Sequence, residues 1–514
     1  MKKKHLRHIT NKLFIWYYLV KELYKFNVIF YSVRVLETEE MMKDFLAKIQ
    51  NPLYLLMWLG LSLFMGYHHE PFSDEAQSYL IARDASFGEL IKDVLRMEGH
   101  PMLWYLWLKL FIALKINYEY IYFASIIPNF LGVWLFIKKA PFSAVVRYLF
   151  PLTYFIFYQY NIVARSYSFL LLFISLAAIY YQKRKEHPWI YMTVLMLLGQ
   201  ITAHTFILAG CIFALGIYED WKLKERNVTA IMIMMIYAIL VIIMLLPNAN
   251  NEYLSFISNP RRIIINTQRA WSCGLITFGG FNLKDFLSMI IRGVNVNDFL
   301  FMIIGSTYLT GALMEMFSLY RKEATFLLIP QILFSCYAYK LWHGGILILT
   351  SMLIMWLCSQ KKISKELKFL IILLFCVQIT WSIKAFVTDK KEPYSAGKEV
   401  YDFLNAQNIP LSRVQLLHFN ATSICPYYQD KACSFWNWNK YRFAHKVDVL
   451  DIENYDAFII NTHRYKANPS FWDINPREYS LSLKIFASEH FVASYDASAD
   501  ETLYVYYRKK SDEK

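Results

Sequence analysis

Two adjacent carboxylates, Asp74 and Glu75, stand directly after the first long apolar run of the chain, in "FSDEAQSYLIARD". A carboxylate held at a bilayer surface can take a proton from an incoming hydroxyl. The pair therefore suits transfer of an activated group from a lipid carrier to an alcohol, with Asp74 as general base. An anionic leaving group needs cationic or hydrogen-bonding partners, and Arg165 is the leading candidate. It sits at the outer end of an apolar run, against the positive-inside trend, where an unpaired charge is costly. His100 in "EGHPMLWY" could hydrogen-bond such an anion or bind a divalent metal, although a lone histidine commonly does neither. His204 in "QITAHTFILAG" interrupts a long apolar stretch at what reads as its outer turn; His343 in "KLWHGGILI" is similar but weaker, because Gly344-Gly345 alone would make the turn. Plainer readings stand beside these. First-turn carboxylates favour the positive end of a helix dipole without doing chemistry, and an arginine at a membrane surface can snorkel to anionic head groups.

The elements that must position these groups follow from local pattern. Ser73 reads as the N-cap of a helix over 73–83 with Asp74 and Glu75 in its first turn. Ser86 and Glu89 are spaced as a capping box, and Phe87, Leu90, Ile91, Val94 and Leu95 form a helical apolar stripe that would lie on the membrane surface. The run 101–116 is short, opens with Pro101 and carries Lys109 and Lys115, so it reads as an interfacial helix.

Composition sets the frame: of 514 residues 56% are apolar, 18% aromatic and only 18% charged, which marks a polytopic membrane protein. The net charge of +14 does not point to nucleic acid, because the basic residues fall in short clusters between apolar runs. Span-like runs cover 51–67, 119–137, 142–159, 166–181, 188–203, 205–218, 228–246, 298–319, 325–341, 344–358 and 369–387. Eleven crossings place Lys138-Lys139, "QKRKEH", "KLKER", "RKE" and "QKKISKELK" all on the cytoplasmic side. The loop 68–118, the turns at 160–165, His204 and His343, the loop 247–297 and the tail from about 390 then share the opposite face.

Three regions result: a cytoplasmic segment 1–50, a transmembrane region 51–389 and an extracytoplasmic domain 390–514. Met41 resembles a natural beginning, with Lys43 and Lys48 before the first span, and residues 1–40 look dispensable. The tail mixes a helical pattern at "SAGKEVYDFLNAQNI" with strand-like runs such as "DAFIINTH" and "TLYVYYRKK", which fits a small α/β domain. Of seven scattered cysteines, Cys425 and Cys433 lie close together in this tail, where a disulfide would be tolerated. No Gly-rich phosphate loop is present.

"SDEAQSYLIARD", "GHPMLWYLWLKLF" and "VARSYSFLLLF" resemble, in order and spacing, three elements of bacterial type C membrane glycosyltransferases: the first-loop Asp-Glu, the Gly-His-Pro-Pro-Leu element and the Arg-x-Tyr element. That superfamily includes protein O-mannosyltransferases and the lipid A aminoarabinose transferase. The motif resemblance covers residues 50–220; beyond them only the layout is similar. Met102 stands where the family has a second proline, and Ala164 where many relatives have Glu before the arginine. The resemblance implies a polyprenyl-phosphate-linked sugar donor and a glycolipid, glycan or protein hydroxyl acceptor. It implies that Asp74 deprotonates the acceptor, with inversion at the anomeric carbon, that Glu75 orients or assists, and that Arg165, with Tyr167, meets the phosphate. It implies a bacterial inner-membrane protein. No cofactor is certain from the sequence, and a divalent metal is open.

Arg261, Arg262 and Arg269, near Trp271, would cradle a phosphate head group or grip membrane lipids. "SFWNWNKYRF" interleaves aromatics with bases as sugar-stacking sites do, and as ordinary cores do. A transporter or flippase would place charges within its spans, which are nearly free of them apart from Glu315. A lipid-linked glycan polymerase or ligase would carry its arginines and histidines in a large outer loop, as 247–297 does, but would not need the first-loop Asp-Glu.

Overall fold

A computed structural model of the chain describes residues 39–98, 100–224, 227–246, 298–337, 341–391, 393–416, 419–428, 456–461, 479–485 and 502–508. Residues 1–56 and 57–514 form two compact units. Of the first, only the start of helix α1 (Glu39–His68) is described. The expected loop site at Arg261, Arg262, Arg269 and Trp271, the aromatic run 434–443 and most of the segment 1–50 lie outside the described residues.

The apolar runs are helices almost everywhere the hydropathy pattern places them. They are α4 (Tyr122–Lys139), α5 (Leu170–Gln182), α6 (Pro188–Gly199), α7 (Ala203–Lys222), α8 (Val228–Leu245), α9 (Asp298–Leu319), α10 (Arg321–Tyr337), α11 (Gly344–Leu357) and α12 (Lys365–Asp389). Before them come α2 (Ser73–Asp84) and α3 (Leu103–Ala113) of the first loop. Among the described residues, four helical stretches are long and apolar enough to cross a membrane: Tyr118–Lys139, Ala203–Lys222, Val228–Leu245 and Lys365–Asp389.

From α5 to α12 consecutive helices run in opposite directions between two polar ends, whereas α4 and α5 start at the same end and run side by side. At one end Arg184, after α5, pairs with Asp220 and Glu219 of α7, and Lys322 of α10 pairs with Glu219. Gln182 there donates to the carbonyl of Leu357 at the end of α11. At the other end His69, after α1, meets Asp389 at the end of α12, and His204 at the start of α7 meets His343 just before α11. The basic clusters thus gather at one end of the bundle and the candidate site residues at the other.

One expected span differs. The run 142–159 is not a single helix but a short helix Ala144–Leu149, a 3-10 turn Phe150–Leu152 and a wide π turn Phe155–Gln159. Pro151 cannot continue the helical ladder, and its neighbours are served from outside it. Trp58 Nε1 donates to the Pro151 carbonyl at 3.0 Å and Asn129 Nδ2 to Ile156 at 2.6 Å. Close approach of α4 and α5 depends on Gly132, where a Cβ would stand 2.6 Å from the Leu172 backbone nitrogen.

The first loop and the tail share a core. Leu80 and Ile81 of α2 and Leu90 and Val94 after it are buried with Val400 and Leu404 of α13 (Gly397–Ala406) and with Leu416, Ile459 and Val505. Those last three lie on strands β1 (Val414–Leu416), β2 (Ala457–Asn461) and β4 (Leu503–Arg508), which with β3 (Tyr479–Ile485) form a sheet ordered β1-β2-β4-β3. β1 pairs parallel with β2, the rest antiparallel, with a bulge between Leu481 and Leu483. Cys425 is disulfide-bonded, and its expected partner Cys433 lies outside the described residues.

Two local details position α2. Its N-cap is Phe72 rather than the expected Ser73, which is already helical; the Phe72 amide donates to Glu75 Oε2 at 3.0 Å, so the carboxylate itself closes the helix start. At its other end Lys109 of α3 donates to the carbonyls of Ala82, at 2.9 Å, and Ala85. The lysine expected to face an interface thus caps a helix C-terminus. The Ser86–Glu89 capping box forms as expected.

Candidate functional site

Asp74 and Glu75 are neighbours in sequence but lie in different surroundings. The Asp74 side chain is 31% exposed and its Oδ2 is 3.2 Å from Nη1 of Arg165. Arg165 Nη1 also donates to the Asp74 backbone carbonyl at 2.9 Å, which fixes the guanidinium on the first turn of α2. Burial works against the charge of Arg165, but Asp74 first, with Glu98 further off, lifts its pKa above the ordinary value. The arginine therefore stays a cation beside an open carboxylate.

Glu75, by contrast, is fully buried and its oxygens are taken. Oε1 accepts from the Ala164 amide, and Oε2 accepts from the Phe72 amide and lies 3.2 Å from His69 Nε2. Glu75 was expected to orient or assist beside Asp74; it has no exposed surface and ties the Asp-Glu turn to the turn before Arg165. Ala164 supplies that tie through its backbone amide.

His69 stands between two buried carboxylates. Its Nδ1 is 3.3 Å from Asp389 Oδ2, and Tyr158 donates to the same oxygen at 2.6 Å. Burial alone would lower the imidazole pKa, but Glu75 and Asp389 together outweigh it and push it up to about 10. The first loop, the π turn and the last helix thus meet on one imidazolium. Nothing in the sequence singles out His69, because its partner Asp389 is 320 residues away.

Beyond Arg165 lies a cluster of histidines and tyrosines. Tyr167 stacks on Tyr160 with ring centroids 5.3 Å apart, and its hydroxyl is 3.1 Å from His343 Nε2. The rings of His343 and His204 are 3.9 Å apart, and His100 is within electrostatic reach of His204. Gln331 holds the His204 backbone carbonyl at 3.0 Å, while the His204 Nε2 is buried with no partner among the described residues. An orphaned buried ring nitrogen leaves hydrogen-bonding capacity for a ligand. On the near side, Gln77 donates to the buried Glu98 at 2.6 Å, and the Met102 amide donates to Gln200 at 3.3 Å.

The fold thus brings together Asp74, Arg165, Tyr167, His100, His204 and His343, six residues that the sequence scatters over more than half of the chain. Comparison of the chain with family models, with curated proteins and with solved structures finds no match in any of the three.

Chemically the arrangement offers one solvent-reachable carboxylate, one permanently charged guanidinium touching it, and a set of histidine and tyrosine hydrogen-bonding groups beyond the guanidinium. That is a base next to an anion-stabilising wall. Among the described residues no three His, Cys, Asp or Glu side chains converge as metal ligands, so no step is assigned to a metal here.

Proposed function

We propose that the protein is a membrane glycosyltransferase that moves a sugar from a polyprenyl-phosphate donor to a hydroxyl acceptor, with inversion at the anomeric carbon. The observation that carries this reading is the contact between the partly exposed carboxylate of Asp74 and the guanidinium of Arg165. Asp74 takes the acceptor proton as the acceptor oxygen attacks the anomeric carbon. The bond to the phosphate oxygen breaks on the opposite face, and the developing phosphate charge is met by Arg165, by the Tyr167 hydroxyl and by the His204 ring nitrogen that has no partner among the described residues. Because the donor is already activated, no nucleotide site is needed, in keeping with a sequence that has no Gly-rich phosphate loop.

The same proposal includes eleven crossings, with the site on the extracytoplasmic face of a bacterial inner membrane and residues 390–514 as an α/β domain above it. It is supported by the separation of the two bundle ends, one gathering Arg184, Lys322 and Lys361, the other Asp74, His204, His343 and Asp389. Basic ends face the cytoplasm. The shared core of loop and tail then keeps residues 390–428 on the side of Asp74.

The direct test supplies the purified protein, in lipid, with polyprenyl-phosphate hexoses and pentoses and a bacterial envelope extract as acceptor source. Sugar-dependent release of polyprenyl phosphate from one of them is the expected result. No release from any donor, by folded protein, would retire the reading.

A further inference from the structure

At the basic end of the bundle, far along α7 from His204, a cavity of about 270 Å³ opens between α6, α7 and α8. Tyr191, Gly216, Trp221 and Ile231 give it apolar walls, and Arg184 and Asp220 line it as well. It exists because α8 packs loosely: only Ala230, Met234 and Val241 of that helix are buried, while Met232, Met235, Ile236 and Ile239 are more than half exposed. A crevice beside a helix so bare opens to lipid rather than to water.

The charges around it have a sign. Asp220 and Glu219 are neutralised within the protein, Asp220 by Arg184 at 2.7 Å and Glu219 by Arg184 at 3.2 Å and Lys322 at 2.5 Å. Arg184 is held further by donating to the Tyr181 carbonyl at 2.9 Å. By sequence the two stretches that border the crevice, 182–187 and 222–227, carry, besides Arg184, Lys183, Lys185, Lys222, Lys224 and Arg226 against Glu186 and Glu225, and the four lysines are exposed. Trp189 and Trp221, 63% and 62% exposed, stand at the same level, where indole rings favour the head-group zone.

We propose that this crevice is a binding site for an anionic phospholipid. One acyl chain lies between α6, α7 and α8, and the phosphodiester head group rests among the lysines of the two bordering turns. A zwitterionic lipid of the same chain length fills the apolar part equally but gains nothing from the excess positive charge. The site stands apart from the Asp74 region and does not depend on the reading of that region.

Native mass spectrometry of the full chain in detergent, after addition of phosphatidylglycerol or phosphatidylcholine with identical chains, reads the site directly. Wild-type protein should retain phosphatidylglycerol at least about fivefold better than phosphatidylcholine, a difference of roughly 1 kcal/mol. Gly216→Leu should remove that retention by filling the cavity, and Lys222→Ser with Lys224→Ser should lower retention of phosphatidylglycerol alone. A side chain at Gly216 presses on Tyr191 and Arg184, whose atoms stand 3.3 and 3.5 Å from a Cβ there. Ile231→Trp therefore fills the same space from the α8 side, should Gly216→Leu not fold. Equal retention of both lipids by the wild type, or undiminished retention by a folded cavity-filling variant, would overturn the proposal.

Discussion

Asp74 and Glu75 show how one residue of separation divides a chemical role from a structural one. The two carboxylates differ by a helical step of about 100°, and that step turns Asp74 to a partly open surface and Glu75 into a fully buried junction. The sequence marks both, but cannot say which is buried, since that depends on Ala164 and His69 arriving from elsewhere. Arg165 was legible because a cation at the end of an apolar run, away from the basic clusters, is anomalous, whereas His69 looks like any loop histidine until Asp389 is beside it. Arg165→Lys should leave the protein folded and lower transfer by on the order of 10²-fold, because an ammonium cannot hold both the Asp74 carboxylate and its carbonyl while facing a phosphate. Single-turnover rates in lipid would check this. For His69 the sign of the pH effect follows from its raised pKa. Its contribution to stability is fully present below the ordinary value of 6.5, shrinks as pH rises from there and is gone above about 10. The unfolding temperature of the wild type should therefore fall between pH 7 and 10, and His69→Gln should start lower and fall less across that window.

At the scale of elements, the helix limits were the most legible part of the fold, because apolar runs closed by basic clusters leave little freedom to the chain in lipid. The break in the run 142–159 is not legible for a physical reason: its composition is that of a span, and the carbonyls freed at the break are met by Trp58 and Asn129 from other helices. Ser73 was misplaced by one position because Glu75, not a hydroxyl, closes the start of α2. Close packing of α4 on α5 was not legible at all. Gly132→Ala should separate them, since its methyl would meet the Leu172 backbone at 2.6 Å, and cost about 1–3 kcal/mol. A thermal unfolding curve checks it; an unchanged midpoint would show that the two helices do not approach as described.

Across the whole molecule, the tail and the first loop are held together by a buried apolar core and by a few charges that respond to pH. Glu70 and Glu399, one from each side, interact closely, and burial followed by Glu399 pushes the Glu70 pKa up to about 8. A raised carboxyl pKa means that the folded state prefers the proton. The stability this adds is complete below the ordinary 4.5 and is lost as pH rises through 8. Loosening of residues 390–428 from the first loop should thus build up between pH 4.5 and 8 and level off above it, seen as backbone hydrogen exchange in α2 and α13 that rises faster than the intrinsic rate, and Glu70→Gln should abolish that dependence. The loop-and-tail core was only half legible: the sequence gives helix and strand patterns to each part, but the meeting of Leu80 with Val400 depends on the path of the chain between them.

The central claim is that Asp74 removes the acceptor proton. It is tested most directly by Asp74→Asn in lipid vesicles, with the transfer of sugar from a polyprenyl-phosphate donor and the unfolding temperature measured on the same preparation. The account predicts an unfolding temperature near that of the wild type, because the carboxylate is partly exposed, together with a loss of transfer of at least about 10²-fold. Transfer at the wild-type rate by the folded variant would contradict it.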